Sequence, residues 1–150
     1  MSFKIPKKIK FETITPKSGK GSISAHSGTV RCGLYVWHSN MRLTTVIGGA
    51  VCSSVDIQKG SKVKVGIGIS DDDSVLITYS RGKVGDEGCY IARTNGNAKY
   101  PRLIQDIRFL VTLNHHLHKY FLDRPVTLTP CEHVIKDNSI IVKLHKVLLK

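Results

Sequence analysis

The sequence predicts a mainly β protein with short helices, and three observations support this fold class. Several short segments alternate apolar and polar residues with a period of two, and they are rich in branched and aromatic side chains. Clusters of Gly, Asn, Asp and Ser separate these segments and favour turns. The 150-residue chain is 41% hydrophobic, which suffices for a folded core.

The first half of the chain begins with a predicted hairpin. The segment TVRCGLYVW alternates, HSN supplies turn residues, and MRLTTVI makes the second strand. GGAVCSSV predicts a short helix, DIQKGSKVKVGIGI a turn and a strand, and SDDDS a turn into the strand SVLITYS. Because Val63, Val65, Ile67 and Ile69 alternate along their strand, they share one of its faces.

The second half shows a similar order of elements. LIQDIRFLVTL predicts a strand, NHHLHKYFLD a short helix with Asn114 as its cap, and RPVTLTP, EHVIKDNS and IIVKLHKVLL alternate strand and turn. Arg42 and Arg108 open corresponding strands, and DDSVLI aligns with DNSIIV. This correspondence predicts an internal duplication, in which two half-units bury their apolar faces together.

These patterns divide the chain into four segments. Residues 1–28 form a basic arm, residues 29–80 the first half-unit, residues 81–101 a linker rich in Gly and Asn, and residues 102–150 a degenerate second half-unit. The arm is basic because only Glu12 opposes its lysines, which are Lys4, Lys7, Lys8, Lys10, Lys17 and Lys20.

Charge gives the first indication of function. Lysine and arginine number 23 against 11 acidic residues, a formal net charge of +12. Such an excess repels itself unless a polyanion relieves it, so nucleic acid is the favoured partner over a merely solubilising surface or an anionic membrane. The sequence has no apolar run long enough for a bilayer and no signal-peptide core, so we expect a cytoplasmic protein with reduced, mostly buried cysteines.

Four motifs of the first half resemble the AbrB/SpoVT-like family of swapped-hairpin regulators. They are GTVR from Gly28, RLTTVI from Arg42, DIQKGSKVKV from Asp56, and DDSVLI from Asp72. The resemblance implies a β-barrel of interdigitated hairpins that binds DNA through arginines, here Arg31 and Arg42. It also implies that two copies in one chain, or two chains in a homodimer, complete the barrel.

The second half departs from that family because DRPV replaces its Gly-Asp turn, so only Arg108 carries over by position. Lys119 and Arg124 are added on physical grounds, as basic residues nearby, and the arm and first half-unit contribute lysines that suit phosphate contacts. The predicted nucleic-acid-binding residues are Arg31, Arg42, Lys7, Lys8, Lys10, Lys59, Lys62, Arg108, Lys119 and Arg124.

Taken together, these features predict a non-enzymatic protein that binds double-stranded DNA in transcriptional or genome regulation, with RNA and single strands left open. One alternative is a protein-interaction module that occupies an acidic surface of a nucleic-acid machine. Tyr35 and Trp37 suit a protein interface or base stacking, but alternating aromatic residues on a strand favour a place in the core.

The second alternative is a metal-dependent nuclease built from the histidine-rich second half. His115, His116 and His118 cluster on the predicted helix, and Cys131, Glu132 and His133 follow, but their spacing matches no established zinc motif. We therefore expect a polar helix face, with Leu117, Tyr120 and Phe121 turned inward. Asp71, Asp72 and Asp73 are expected to cap their own turn rather than hold a cation. The sequence implies no cofactor.

Overall fold

A computed structural model describes residues 27–83, 85–94, 106–113 and 115–150, with the side chains of residues 115 and 116 excepted. The described chain is mainly β, as predicted, with two short α-helices and a single 3₁₀ turn, Lys146–Leu148. The strands are β1 (Val30–Trp37), β2 (Asn40–Ile47), β3 (Lys62–Ile69), β4 (Val75–Arg81), β5 (Tyr90–Ile91), β6 (Arg93–Thr94), β7 (Ile107–Thr112), β8 (Val126–Lys136) and β9 (Ser139–Lys143), and the helices are α1 (Gly49–Ser54) and α2 (His115–His118).

The predicted first hairpin is confirmed as β1 paired with β2. Its two-residue turn consists of His38 and Ser39, both with positive φ, at 46° and 65°. Two consecutive residues in this left-handed region are typical of a type I′ turn, whose twist matches that of the flanking strands. The turn therefore sets the register in which Trp37 lies opposite Asn40.

All nine described strands belong to one antiparallel sheet, in the order β5-β3-β4-β9-β8-β1-β2-β7-β6. The two ends of this order meet, because β5 pairs with β3 while β6, which follows after one residue, pairs with β7. Ala92 lies between them and joins the turn before β3, donating its N–H to Ser61 O and accepting from Gly60 N, both at 2.9 Å. The sheet thus curls into a nearly closed barrel, and residues of the predicted linker complete it.

Strands from the two halves of the chain alternate in pairs around this barrel. β2 pairs with β7, and the two central pairs of this ladder are Thr44 with Leu110 and Thr45 with Phe109. β4 pairs with β9, and its central pair is Thr78 with Ile141. One barrel therefore holds both halves, and the core belongs to the chain as a whole.

The start of α1 fastens the ends of β2 and β7 to each other. Asp106, next to β7, accepts a hydrogen bond at 3.0 Å from the backbone N–H of Gly49, next to β2. The Ser27 hydroxyl accepts a second helix N–H, from Ala50, at 2.9 Å. Side-chain acceptors at these positions satisfy helix N–H groups that have no partner within the helix.

The barrel interior is packed by side chains from every long strand. The rings of Tyr79 and Phe109 lie 5.1 Å apart between centroids, joining β4 to β7 across the core. The predicted inward face of α2 is confirmed, since Phe121 is buried and Leu117 and Tyr120 pack against the core. On β3, Val63 is buried while Ile67 and Ile69 are exposed. The apolar face of β3 therefore packs in the core at the start of the strand and is exposed near the β3–β4 turn.

One buried polar contact crosses this core. The Tyr79 hydroxyl donates to Thr45 Oγ1 at 2.5 Å, and Cys32 Sγ lies 3.6 Å from the same oxygen. Burial raises the pKa of Tyr79, so the phenol stays neutral and keeps its proton for this bond. All four cysteines are free, as expected, with Cys32 and Cys52 fully buried and Cys89 and Cys131 partly so. None of the described helices has the length and apolarity needed to cross a membrane.

The Tyr79–Thr45 contact makes a stability prediction. Thr45→Val should lower the free energy of unfolding by about 1–3 kcal/mol, because it leaves a buried hydroxyl without its acceptor. Adding Tyr79→Phe to Thr45→Val should restore part of that loss, since no unpaired hydroxyl then remains. Urea denaturation of the two single variants and the double variant measures this coupling. If the double variant loses the sum of the two single-variant losses in the free energy of unfolding, the Tyr79–Thr45 hydrogen bond does not contribute as expected.

Candidate nucleic-acid interface

The outer face of β1, β2 and β7 gathers the predicted arginines. Side chains alternate along a strand, and on β1 the even positions Cys32 and Leu34 are buried. Arg31, Tyr35 and Trp37 occupy odd positions and therefore point away from the core. The same alternation places Arg42 on the outer face of β2.

The register sets the arginines side by side. Arg31 lies opposite Val46 on β2, Val46 lies opposite Arg108 on β7, and Arg108 lies opposite Arg93 on β6. Two arginines in direct cross-strand register repel each other, as Arg93 and Arg108 do here. Among the described residues, no acidic side chain forms an ion pair with these arginines or with Arg42. The row therefore carries uncompensated positive charge.

Arg42 and Arg108 line a groove of about 440 Å³, and Arg31 lies next to it, opposite Val46. Its floor includes Thr44 and Val46, and its described lining has arginine side chains but no carboxylate. The groove is lined by Tyr35, Val36, Trp37, Arg42, Thr44, Val46, Arg108, Leu110 and Leu128. We call this set of residues the β1–β2–β7 groove.

Aromatic side chains stand at one end of the β1–β2–β7 groove. Trp37 is 53% exposed and Tyr35 is 40% exposed. The Arg42 guanidinium lies over the Trp37 ring, 4.9 Å from its centroid, which is cation–π geometry. The prediction that Tyr35 and Trp37 belong to the core is therefore wrong, because the core face of β1 is the one that carries Val30, Cys32 and Leu34.

Gly33 separates the aromatic end from the arginine end on β1. A Cβ at this position would lie 2.7 Å from the Val126 carbonyl oxygen and 3.0 Å from the Tyr35 ring. The backbone of β8 approaches so closely here because the β1–β8 register shifts between Cys32 and Leu34. Glycine is thus required by the close approach of β8, and it lets the Tyr35 ring lie flat along β1.

Four other predicted basic residues are described, and none of them lines this groove: Lys59, Lys62, Lys119 and Arg124. Lys59 and Lys62 are exposed in the turn before β3 and at its start, where Lys62 lies opposite Ile91. Lys119 and Arg124 are exposed on the loop between α2 and β8, with Lys119 Nζ 5.1 Å from the Tyr120 ring centroid. Lys7, Lys8 and Lys10 fall outside the described residues, as does Asn114.

Arg93 is a residue of the arginine row that the sequence did not predict. It stands in a segment whose Gly and Asn content predicts a linker, and no alternating pattern surrounds it. Pairing with β7 alone places it in the arginine row.

The histidine-rich second half forms no metal site among the described residues. His133 is partly buried, and this burial lowers its pKa, so the ring favours its neutral form. The side chains of His115 and His116 lie outside the described part.

A second cleft, of about 420 Å³, brings Cys131, Glu132 and His145 together. Hydrogen bonds from the Cys32 thiol and from the backbone N–H of His145, at 3.4 Å, lower the pKa of Cys131. Nucleophilic catalysis also needs a base at the thiol. The His145 ring serves another purpose, because its Nδ1 accepts a hydrogen bond at 3.1 Å from Val147 N and caps the 3₁₀ turn.

No protein family model, curated protein or solved structure matches this chain. Any proposal about function therefore rests on the sequence and on the geometry of the described residues.

The acidic β3–β4 turn behaves as predicted for a self-capping turn. The Asp72 carboxylate accepts hydrogen bonds from the Ser70 hydroxyl and, at 3.2 Å, from Ser74 N. These bonds lower the pKa of Asp72 from 3.8 to about 2. The charged form is thus favoured by the fold, without a cation.

This depressed pKa predicts a pH-dependent contribution to stability. Asp72 should stabilise the fold above the carboxyl's unfolded pKa near 4, and the contribution should disappear as pH falls from about 4 to 2. Asp72→Asn should therefore be less stable than the natural chain at pH 6, and the difference should shrink toward pH 2. Ser70→Ala should weaken the same pH dependence. Thermal unfolding between pH 6 and 2 measures this, and a difference that stays constant would contradict it.

Proposed function

We propose that this protein is a non-enzymatic DNA-binding protein, acting in transcriptional or genome regulation, that holds DNA on the β1–β2–β7 groove. One observation carries the proposal: Arg42 on β2 and Arg108 on β7 line one groove, and Arg31 on β1 lies opposite its lining residue Val46 on the same face. Double-stranded DNA is the partner that the sequence predicts.

The electrostatics of this face support an anionic partner. The chain carries a formal net charge of +12, and the arginine row has no carboxylate partner among the described residues. Phosphates placed between Arg31, Arg93 and Arg108 relieve the repulsion within the row. Guanidinium groups bind phosphate in a forked geometry and pair with guanine in a groove, so arginines supply affinity and some sequence preference.

The AbrB-like architecture and the internal duplication are part of this proposal. The order β2, α1, β3, β4 is repeated as β7, α2, β8, β9. If Arg42 and Arg108 are equivalent residues, the two-fold axis passes through the pair Thr44 with Leu110, near the centre of the β2–β7 ladder. The repeated order of elements and this position of the axis support the two arginines as equivalent residues of two copies.

The duplication predicts how many chains complete the barrel. Because β2–β7 and β4–β9 already pair within one chain, we expect a monomer of 16.6 kDa. Sedimentation equilibrium over a hundredfold concentration range measures the mass. A dimer that persists at the lowest concentration would instead indicate hairpins exchanged between chains, as in a swapped homodimer.

Binding titrations against duplex DNA, single-stranded DNA and RNA at several salt concentrations test the function. We expect the logarithm of the binding constant to fall linearly with the logarithm of salt concentration. Arg31→Ala, Arg42→Ala and Arg108→Ala should each weaken binding about five- to tenfold and make the salt dependence shallower.

Arg81→Ala is the matched control. Arg81 lies on β4, outside the groove, where it is ion-paired with Asp56, so this variant removes the same charge elsewhere. The affinity of Arg81→Ala for nucleic acid should stay within about twofold of that of the natural chain. This variant loses only a small part of the long-range attraction between the basic protein and the nucleic acid. Equal losses in all four variants would show a diffuse charge effect, and no salt-dependent binding to any nucleic acid would overturn the proposal.

A further inference from the structure

The exposed aromatic pair in the β1–β2–β7 groove has no structural purpose in the barrel core. Tyr35 and Trp37 lie on the outer face, two residues apart, so their side chains are neighbours along β1. Exposed aromatic surface beside concave, charged surroundings is typical of a binding site. The cation–π contact with Arg42 holds the Trp37 ring at the end of the groove.

Stacking surface of this kind discriminates between forms of nucleic acid. In a duplex the bases are stacked on each other, and a protein reaches only their edges and the backbone. An unpaired base offers its whole face, which stacks on an aromatic ring with about 1–3 kcal/mol per base. Trp37 and Tyr35 can therefore stack on the bases of a single strand, whereas the bases of a regular duplex are not accessible for stacking.

Resting on the proposed function, we infer that the β1–β2–β7 groove selects single-stranded nucleic acid. An unpaired base stacks on the exposed part of the Trp37 ring, beside Tyr35. Arg108 holds a phosphate at the other end of the groove, and Arg31, on the other side of Val46, adds positive charge there. Arg31 and Tyr35 are four residues apart on β1, about 14 Å along the strand, so the bound strand runs along β1. Between the two ends, the Tyr35 ring lies against Gly33, so aromatic surface extends along β1 toward Arg31.

Trp37 is itself the reporter for this inference, because it is the only tryptophan in the chain. The full-length protein is titrated with a twelve-nucleotide oligothymidine, with the matching RNA, and with a duplex of the same length. We expect each single strand to quench the Trp37 emission, and the duplex to leave it nearly unchanged. Affinities come from the anisotropy of dye-labelled strands, where the single strand should bind about tenfold more tightly than the duplex.

Two variants separate stacking from charge. Trp37→Ala should weaken single-strand binding about tenfold and leave duplex binding within about twofold, because only the base contact is lost. Trp37→Phe keeps an aromatic face and should stay within about threefold of the natural chain. Ile135→Ala removes a similarly exposed apolar side chain, 40% exposed at the far end of β8, and should change neither affinity. Thermal unfolding checks that each variant is folded.

The outcomes separate this inference from the proposed function. Suppose that binding is salt-dependent and needs the arginines, but that duplex and single strand bind equally well and Trp37→Ala has no effect. This result would overturn single-strand selection and leave the proposed function standing. Absence of binding to every nucleic acid would overturn both. Oligoglutamate is the last competitor: if it binds with quenching of Trp37 and no oligonucleotide displaces it, the groove belongs to an acidic protein partner and both proposals fail.

Discussion

The fold depends on one closing contact, made by residues 90–94. A sheet left open at β3 and β7 would present two edges of unpaired N–H and C=O groups, which attract other chains. Tyr90 and Ile91 cover the edge of β3, Arg93 and Thr94 cover the edge of β7, and Ala92 joins them through two backbone hydrogen bonds. This contact nearly closes the barrel around the core, and it also adds Arg93 to the arginine row.

The properties of that face follow from register. A one-residue slip in a ladder turns every side chain of the strand to the opposite face of the sheet. The type I′ turn at His38 and Ser39 sets the β1–β2 register, and the hydrogen bond from Gly49 N to Asp106 fastens the β2–β7 end. These local contacts hold arginines from distant parts of the chain around one groove. The groove residues thus stand on paired strands, which suits the proposed binding of an extended anion.

Sequence patterns predicted the longer strands, both helices and the first hairpin, because alternation and turn residues act over a few neighbouring residues. They failed at Tyr35 and Trp37, since β1 is apolar on both faces near its end and a period of two does not then tell which face is the core. They also missed Arg93, because a two-residue strand in a glycine-rich segment forms only when the rest of the barrel provides its partners. Arg31, Arg42 and Arg108 were identified individually, but their position on one face of the sheet is a product of long-range pairing.

Backbone amide mapping is the most direct test of the claim that the outer face of β1, β2 and β7 is the nucleic-acid interface. Amide chemical shifts of the full chain, recorded by NMR with increasing oligothymidine, locate the bound strand without any substitution. Our account predicts that the largest changes concentrate on β1, β2, β6 and β7, including the Trp37 indole N–H. Changes confined to the N-terminal arm, or centred on the cleft at Cys131 and His145, would contradict it.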